Sequence, residues 1–266
     1  MAVAPGSTLL EFDKVGKTFA RGRVQVRAIE DVSFRLHHGE FVCVVGPSGC
    51  GKSTVLRIAA GLETPTDGRI LYEGQPMLGP SRDRGVVFQA YNAFPWLTVR
   101  QNIGFGLHHL SSAARREKVD QWLAAIGLSD FADAYPRALS GGMRQRLALA
   151  RTLVVEPTLL LLDEPFGALD EPIRRSMQST LLNIVATLGC SAVFVTHDIR
   201  EAILLGDRVL LMGHRPGHVL DWYDVPVPRP RTPDFQESDV CRDIYRRILE
   251  KFPASLGRTT ISGNPG

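Results

Sequence analysis

Two hydrophobic patterns divide the chain. Near the N-terminus, Leu10 and Phe12, and later Val32, Phe34 and Leu36, alternate with polar residues, as in strands that bury one face. Uninterrupted apolar runs then replace the alternation, which is typical of parallel strands covered on both faces. These runs are residues 41–45, 86–88, 159–162, 192–195 and 209–212. The patterns predict an α/β protein in which an antiparallel β subdomain precedes a mainly parallel sheet.

Helical periodicity appears between and after these runs. Apolar residues from Val119 to Ile126 recur at helical spacing between Ser111 and Gly127, which predicts a helical subdomain inserted at about residues 90–150. Pro172 occupies the first turn of another helix, and Asp198 with Glu201 has the spacing of a capping box. Four prolines exclude a helix from residues 221–233, and apolar residues four apart predict a last amphipathic helix over residues 240–252.

Composition and charge exclude several classes of protein. With 266 residues, 44% of them hydrophobic and 22% charged, the chain is neither disordered nor fibrous. A net charge of +3 offers no broad positive surface, so we expect no nucleic-acid partner. The four cysteines lie far apart without a CxxC pair, which argues against a zinc site and fits a reducing compartment. No signal sequence and no membrane-length apolar run is present, so we expect a cytosolic protein.

A glycine-rich turn follows the first apolar run directly. Residues 46–53 (GPSGCGKS) match GxxxxGK[ST] between a predicted strand and a predicted helix, the context that a phosphate-binding loop requires. Backbone N–H groups of such a loop surround phosphate oxygens, Lys52 reaches the β- and γ-phosphates, and Ser53 is a ligand of Mg²⁺. Cys50, beside Lys52 at a helix N-terminus, is expected to form a reactive thiolate. The predicted ATP-binding residues here are Gly46, Pro47, Ser48, Gly49, Cys50, Gly51, Lys52, Ser53 and Thr54.

Two acidic residues follow a later apolar run. The segment 159–165 (LLLLDEP) places Asp163 and Glu164 at the carboxyl end of a strand, where α/β sheets bind ligands. Asp163 is predicted to hold Mg²⁺, and Glu164 to accept a proton from the attacking water. Taken alone, the two residues are as compatible with a solvated acidic turn as with a catalytic site. The phosphate loop elsewhere in the sequence favours the catalytic site.

A second potential anion site lies at residues 139–146 (LSGGMRQR). Ser140 and two glycines come before a helix predicted from Met143 to Val154, and a helix N-terminus attracts anions. One nucleotide has no need of two phosphate cradles from one chain, so the second cradle requires another explanation.

These segments, with Gln89 and residues 168–170 (ALD) and 196–198 (THD), resemble in order and spacing the nucleotide-binding subunit of an ABC transporter. The resemblance covers about residues 9–231. It implies a RecA-like P-loop NTPase core, an ATPase domain over residues 8–233, and a C-terminal helix and tail over residues 234–266. It also implies a homodimer in the ATP-bound state, in which Ser140, Gly141 and Gly142 contact the γ-phosphate of the nucleotide held by the other copy.

The resemblance implies roles for isolated residues as well. Phe19 would stack on adenine, Gln89 would contact Mg²⁺ and the attacking water, His197 would hold the γ-phosphate, and residues 168–170 would cross the dimer interface. The implied catalytic residues are Glu164, His197 and Gln89, and the implied Mg²⁺ ligands are Ser53, Gln89 and Asp163. Taken singly, Gln89 would fit a surface amide, Phe19 a core residue and His197 a structural one.

Spacing narrows the class of ABC protein. Only 87 residues lie between Lys52 and Ser140, whereas repair ATPases of the condensin type insert hundreds of coiled-coil residues there; translation-type relatives carry two cassettes and this chain has one. The segment 90–107 (AYNAFPWLTVRQNIGFGL) resembles the importer form, in which it receives a helix from a membrane permease. Its Phe94-Pro95-Trp96 and the tail segment 214–231 (HRPGHVLDWYDVPVPRPR) resemble importers for nitrate, sulfonates and taurine.

Two hypotheses remain. In the first, the chain is the ATP-hydrolysing subunit of an ABC importer for a small anionic solute, peripheral at the cytoplasmic face of the membrane. Its partners would be permease subunits and, indirectly, a periplasmic or lipoprotein solute-binding protein. In the second, it is a soluble assembly or regulatory ATPase without a permease.

Overall fold

Two β-sheets form the frame of the computed structural model, which describes residues 6–22, 24–88, 93–167 and 169–252. One sheet has four strands in the order β2-β1-β4-β5, and the other has six in the order β10-β9-β3-β8-β7-β6. The strands are β1 Thr8–Arg21, β2 Val24–His37, β3 Phe41–Val45, β4 Asp67–Tyr72, β5 Gln75–Pro76, β6 Arg84–Val87, β7 Leu159–Asp163, β8 Ser191–Thr196, β9 Arg208–Met212 and β10 Val219–Asp224.

The four-stranded sheet is antiparallel, as the alternation predicts. β1 pairs with β2 on one side and with β4 on the other. Phe12 and Phe34 lie opposite each other in the β1–β2 pair, and their buried rings stack with centroids 4.4 Å apart. The alternating apolar positions therefore point into the protein, where they pack on the second sheet and α1.

The six-stranded sheet is parallel apart from β10, which pairs antiparallel with β9 at one edge. Strand β3 shows why its strands are apolar throughout. Its Cys43 and Val45 belong to the apolar cluster on one face of the sheet, while Val42 and Val44 belong to the cluster on the other. Both faces are covered, which confirms the prediction of an α/β core.

The described part of the chain contains seven α-helices. They are α1 Lys52–Ala59, α2 Val99–Gly104, α3 Ser112–Ala125, α4 Gly141–Leu153, α5 Glu171–Leu188, α6 Ile199–Leu205 and α7 Asp239–Lys251. The start of α4 differs from the prediction: Ser140 caps the helix, with its Oγ accepting a hydrogen bond from Met143 N at 3.3 Å, so both glycines lie in the first turn. None of the described helices combines the length and apolar character that crossing a bilayer requires.

The segment between β6 and β7 is helical, as predicted, and α2, α3 and α4 bury an apolar cluster of their own. Asn102 of α2 has no exposed surface, and its side chain bonds to the loop that precedes the helix. Its Nδ2 donates to the carbonyls of Phe94, Leu97 and Thr98 at 2.9–3.1 Å, and its Oδ1 accepts from Phe94 N at 2.8 Å. These hydrogen bonds attach the main chain of the loop to α2. The aromatic side chains of the loop lie outside the core.

The last helix packs on the ATPase core. Ile244 and Ile248 of α7 join the cluster that covers one face of the six-stranded sheet. The preceding tail is fixed by Arg231, whose guanidinium donates to the carbonyls of Leu204 and Gly206 at 3.0 and 2.7 Å, where α6 ends. The domain boundary at residues 233 and 234 stays a prediction.

Candidate nucleotide site

The phosphate loop joins the central strand β3 to α1. Gly49 and Gly51 have φ of 76° and 92°, a left-handed conformation that glycine adopts without strain. A Cβ at Gly51 would lie 2.4 Å from Ile29 Cγ2, so glycine is required there on steric grounds as well. Lys52 is buried and folds back over the loop, with Nζ donating to the carbonyls of Gly46 and Pro47 at 2.8 and 3.1 Å. Residues 46–51 thus form a curved loop that leads into the N-terminus of α1, whose first turn contains Lys52, Ser53 and Thr54.

Ser53 and Asp163 meet across the sheet. Ser53 is in the first turn of α1, Asp163 is the last residue of β7, and β8 lies between the two strands concerned. The Ser53 hydroxyl donates to Asp163 Oδ1 at 3.1 Å. Burial raises the pKa of the Asp163 carboxyl, and the Ser53 hydrogen bond opposes this shift. A hydroxyl and a carboxylate oxygen in contact are ligands of the type that Mg²⁺ prefers, so the pair fits a divalent cation.

Glu164 and His197 contact each other beside this pair, at 3.3 Å between His197 Nδ1 and Glu164 Oε2. An ionised carboxylate can only accept, so the ring nitrogen is the donor in this contact. Glu164 has a φ of 45°, and its N–H donates to Val195 O of β8 at 2.9 Å. A left-handed conformation is unfavourable for glutamate and persists only where the surroundings enforce it. The turn after β7 is therefore held in a strained form that directs Glu164 toward His197, a contact that the sequence did not predict.

A buried polar cluster lies behind His197. Asp198 caps α6 as predicted, since its Oδ1 accepts from the N–H groups of Arg200 and Glu201. The capping box is incomplete, however, because the Glu201 carboxylate turns inward, accepting from Thr196 Oγ1 at 2.5 Å and Gln178 Nε2 at 2.9 Å. Thr196 Oγ1 in turn accepts from Asp198 N at 3.1 Å. The residues on both sides of His197 are thereby fixed to α5 and α6.

The other predicted site residues either belong to segments far from the phosphate loop in sequence or lie outside the described residues. Phe19 is a half-buried residue of β1, opposite Val26 in the β1–β2 pair, and its ring carries Lys17 Nζ at 5.1 Å from the centroid. Ser140 and Gly141 begin α4, and in the described residues no hydrogen bond joins them to the phosphate loop. Gly142 faces α5, where a Cβ would lie 3.4 Å from Ile173 Cγ2. Gln89 and residue 168 of the 168–170 loop fall outside the described residues.

The prediction of a reactive thiolate at Cys50 is wrong. Cys50 has no exposed surface, and burial raises the pKa of its thiol more strongly than the neighbouring Lys52 lowers it. The helix N-terminus and the cation were visible in the sequence, but the groups that cover the thiol come from distant segments. The other three cysteines, Cys43, Cys190 and Cys241, are buried as well.

The chain matches a known protein family and is similar to proteins of known name. The family described as ABC transporter matches residues 29–167, which is more than half of the chain. The chain belongs to the ABC transporter family. Nitrate import ATP-binding protein NrtD of Synechocystis sp. is 47% identical over 222 residues, covering 82% of this chain and 83% of that protein. Aliphatic sulfonates import ATP-binding protein SsuB of Bacillus cereus is 42% identical over 245 residues, covering 91% of this chain and 95% of that protein.

Solved structures of ABC cassettes share the fold. The dimeric post-hydrolysis structure of the ATP-binding cassette MJ0796 bound to ADP and Pi is 31% identical, with a TM-score of 0.75 over 83% of this chain and 100% of that one. A second dimeric structure of the same cassette also has a TM-score of 0.75. As an ABC ATPase, the chain hydrolyses ATP, a reaction that generally needs a divalent metal.

Proposed function

We propose that the chain is the ATPase subunit of an ABC importer that energises uptake of a small anionic solute, of the nitrate, sulfonate or taurine type, through a separate permease. The observation that carries the ATPase part is the convergence of Lys52, Ser53, Asp163, Glu164 and His197 at the carboxyl edge of one sheet. The relatives named for nitrate and sulfonate import support an importer over a soluble assembly ATPase.

The phosphate loop would bind the β- and γ-phosphates of ATP. Lys52 Nζ now donates to two neutral carbonyls, and charged phosphate oxygens within its reach are stronger acceptors. Phe19 is half-buried on the β1–β2 pair, and its ring would stack on adenine. Ser53, Asp163 and Gln89 would hold Mg²⁺, which neutralises phosphate charge and orients the γ-phosphate for in-line attack.

Glu164 and His197 would act at the γ-phosphate. Glu164 is half-buried and directed by its strained backbone into the site, where it would accept a proton from the attacking water. His197 would hold the γ-phosphate, and the buried Thr196–Glu201 hydrogen bond would keep the histidine turn in place. We assign the general base to Glu164 rather than Asp163, because Asp163 contacts the Ser53 hydroxyl and would hold Mg²⁺ together with it.

A homodimer would complete the site. Ser140, Gly141 and Gly142 form a capped helix N-terminus on the inserted helical subdomain, and a second copy would present it to the γ-phosphate. Dimeric structures of the related cassette support this arrangement. Two chains would then enclose two ATP molecules, with residues 168–170 at the interface.

The permease would dock on the aromatic loop, Phe94 and Trp96 before α2, together with Phe105 just after α2 and Arg151 of α4 beneath them. Trp96 is 68% exposed and Phe105 56% exposed. Phe94 stacks on Trp96 with centroids 5.3 Å apart, and the Arg151 guanidinium lies 3.8 Å from the Phe94 centroid. An exposed aromatic group on a loop fixed by Asn102 is typical of a protein interface. Docking there would place the subunit at the cytoplasmic face of the membrane, with a solute-binding protein reached only through the permease.

The substitution Glu164→Gln tests the ATPase proposal. The amide cannot accept the proton of the attacking water, so we expect hydrolysis to fall by about 10²–10⁴-fold while nucleotide binding is retained. Size-exclusion chromatography with Mg-ATP should then show a dimer. Glu171→Gln, an exposed residue of α5 in ion pairs with Arg174 and Arg175, is the matched control. Hydrolysis by Glu164→Gln near the wild-type rate would overturn the assignment.

Membrane fractionation tests the importer proposal. The subunit should sediment with membranes when its permease is co-expressed and stay in the supernatant without it. A subunit whose distribution does not change would support the soluble assembly or regulatory ATPase instead.

A further inference from the structure

The turn between β9 and β10, residues 213–218 (GHRPGH), is attached to the outside of the phosphate loop. Gly213 N donates to His218 O at 2.8 Å and closes the turn. Gly217 then bonds to β2 on both sides: its N–H donates to Ala28 O at 2.9 Å, and its carbonyl accepts from Glu30 N at 2.8 Å. The turn joins β9 and β10 of the six-stranded sheet, and these hydrogen bonds attach it to β2 of the other sheet.

Contact between this turn and the phosphate loop is close. A Cβ at Gly217 would lie 1.8 Å from the Cys50 carbonyl oxygen, so only a glycine lets the two backbones approach this far. On the same side, a Cβ at Gly51 would meet Ala28 O at 3.0 Å as well as the Ile29 side chain. The 213–218 turn and β2 therefore lie directly behind the loop, close to its main chain at Cys50 and Gly51.

Arg215 projects from the turn over the loop. Its Nε donates to Gly49 O at 3.5 Å, a long hydrogen bond, and its Nη2 would lie 2.8 Å from a Cβ at Gly49. The N–H at the other end of the same peptide group, that of Cys50, donates to Pro47 O at 3.2 Å. The Gly49–Cys50 peptide is therefore oriented by Arg215 on one side and by the loop itself on the other.

Arg215 forms no ion pair with the described residues. Its side chain is exposed, and no carboxylate of the described residues lies within ion-pair distance of its guanidinium. By contrast, Arg208 and Arg229 of the neighbouring segments each pair with an aspartate. An unpaired guanidinium beside the phosphate loop adds positive potential at a site that binds polyphosphate.

We propose that Arg215 is a positioning residue of the nucleotide site, whose guanidinium holds the outer carbonyl of the phosphate loop and adds a positive charge behind it. The inference rests on the proposed ATP site and adds to it a residue outside the loop. Removing the guanidinium should weaken binding of ADP and ATP through the loop, with little effect on the chemical step once nucleotide is bound. Because the hydrogen bond is long and the side chain exposed, the effect should be moderate, about three- to tenfold in Kd.

Three substitutions separate charge from geometry: Arg215→Ala, Arg215→Lys and Arg215→Glu. The control is Arg242→Ala, an exposed arginine of α7 that pairs with Asp239. Titration with a fluorescent ADP in the presence of Mg²⁺ gives Kd at low and high ionic strength. Steady-state ATP hydrolysis gives KM and kcat, and thermal unfolding without nucleotide gives Tm.

We expect Kd and KM to rise about three- to tenfold in Arg215→Ala, less in Arg215→Lys and more in Arg215→Glu, with kcat within about twofold of wild type. High salt should reduce the differences because it screens exposed charges. Tm without nucleotide should be unchanged in all four variants. Unchanged Kd in Arg215→Ala and Arg215→Glu would overturn the inference, as would a loss of affinity accompanied by a matching loss of Tm. A wild-type chain that bound no ADP would instead overturn the proposed function itself.

Discussion

Replacing Trp96 by alanine tests whether the aromatic loop is an interface or part of the core. A core tryptophan and an interface tryptophan differ in what their removal does to the isolated subunit. The structure favours an interface, since Trp96 is 68% exposed and its ring contacts Phe94, which is itself half-buried. The main chain of the loop is held by Asn102 and does not depend on the indole ring.

The expected cost in stability follows from the buried area. A large aromatic side chain buries about 150–250 Å² when fully enclosed. About a third of Trp96 is covered, which leaves about 50–80 Å², and at roughly 25 cal/mol per Å² this gives about 1–2 kcal/mol. Truncation of a fully buried tryptophan or phenylalanine costs about 3–5 kcal/mol.

The assay has two parts. Urea unfolding of the isolated subunit measures the free energy of unfolding of Trp96→Ala, with Phe12→Ala as the core reference, since Phe12 is buried in the β1–β2 pair. Co-purification with a tagged permease measures assembly, and ATP-driven uptake into vesicles measures coupling. We expect a loss of at most about 2 kcal/mol in stability together with weak co-purification and poor coupling. A loss of about 3 kcal/mol or more, with assembly intact among the folded molecules, would refute the interface interpretation.

Two further predictions follow from buried titratable groups. Burial raises the pKa of the Cys50 thiol, so iodoacetamide at neutral pH should label Cys50 far more slowly in the folded chain than in urea. Labelling is mapped by mass spectrometry, and rapid labelling of Cys50 in the folded chain would contradict this prediction. Burial also raises the pKa of the Glu201 carboxyl in the folded state. The protonated carboxyl therefore contributes stability that is fully present below the pKa of Glu201 in the unfolded chain. This stability is lost as the pH rises through the pKa of Glu201 in the folded chain. Glu201→Gln should therefore gain stability relative to wild type between pH 5 and pH 8 in urea unfolding, and a constant difference across that range would exclude the effect.

The fold was largely predictable because the faces of a strand or helix that are buried must be apolar, and this pattern is visible in the sequence. Strands such as β7 and β8 are covered on both faces, and only continuous apolar runs satisfy that condition. The phosphate loop was predictable for a similar reason, since close backbone approach restricts Gly51 to glycine. Both constraints leave a local signature in the sequence.

The missed features depend on partners that are distant along the chain. Glu201 stands three residues after Asp198, where a capping box is the local expectation, but its partner Gln178 comes from α5. Cys50 has a cation and a helix N-terminus beside it in sequence, whereas in the structure it belongs to an apolar cluster with Ile29 of β2 and Met212 of β9. Local electrostatics gave the wrong result for Cys50 because tertiary packing removed the thiol from water.

Because of the order of the strands, the nucleotide site exists only when the six-stranded sheet has formed. Ser53 and Asp163 are 110 residues apart in sequence and come together only when β8 has inserted between β3 and β7. An unfolded chain therefore has no binding site, and ligand that binds only the folded state shifts the folding equilibrium by mass action. At a nucleotide concentration 100 times Kd, this amounts to about 2.7 kcal/mol. Cellular ATP would thus act as a folding ligand for newly made subunits and protect them from proteolysis before they reach a partner.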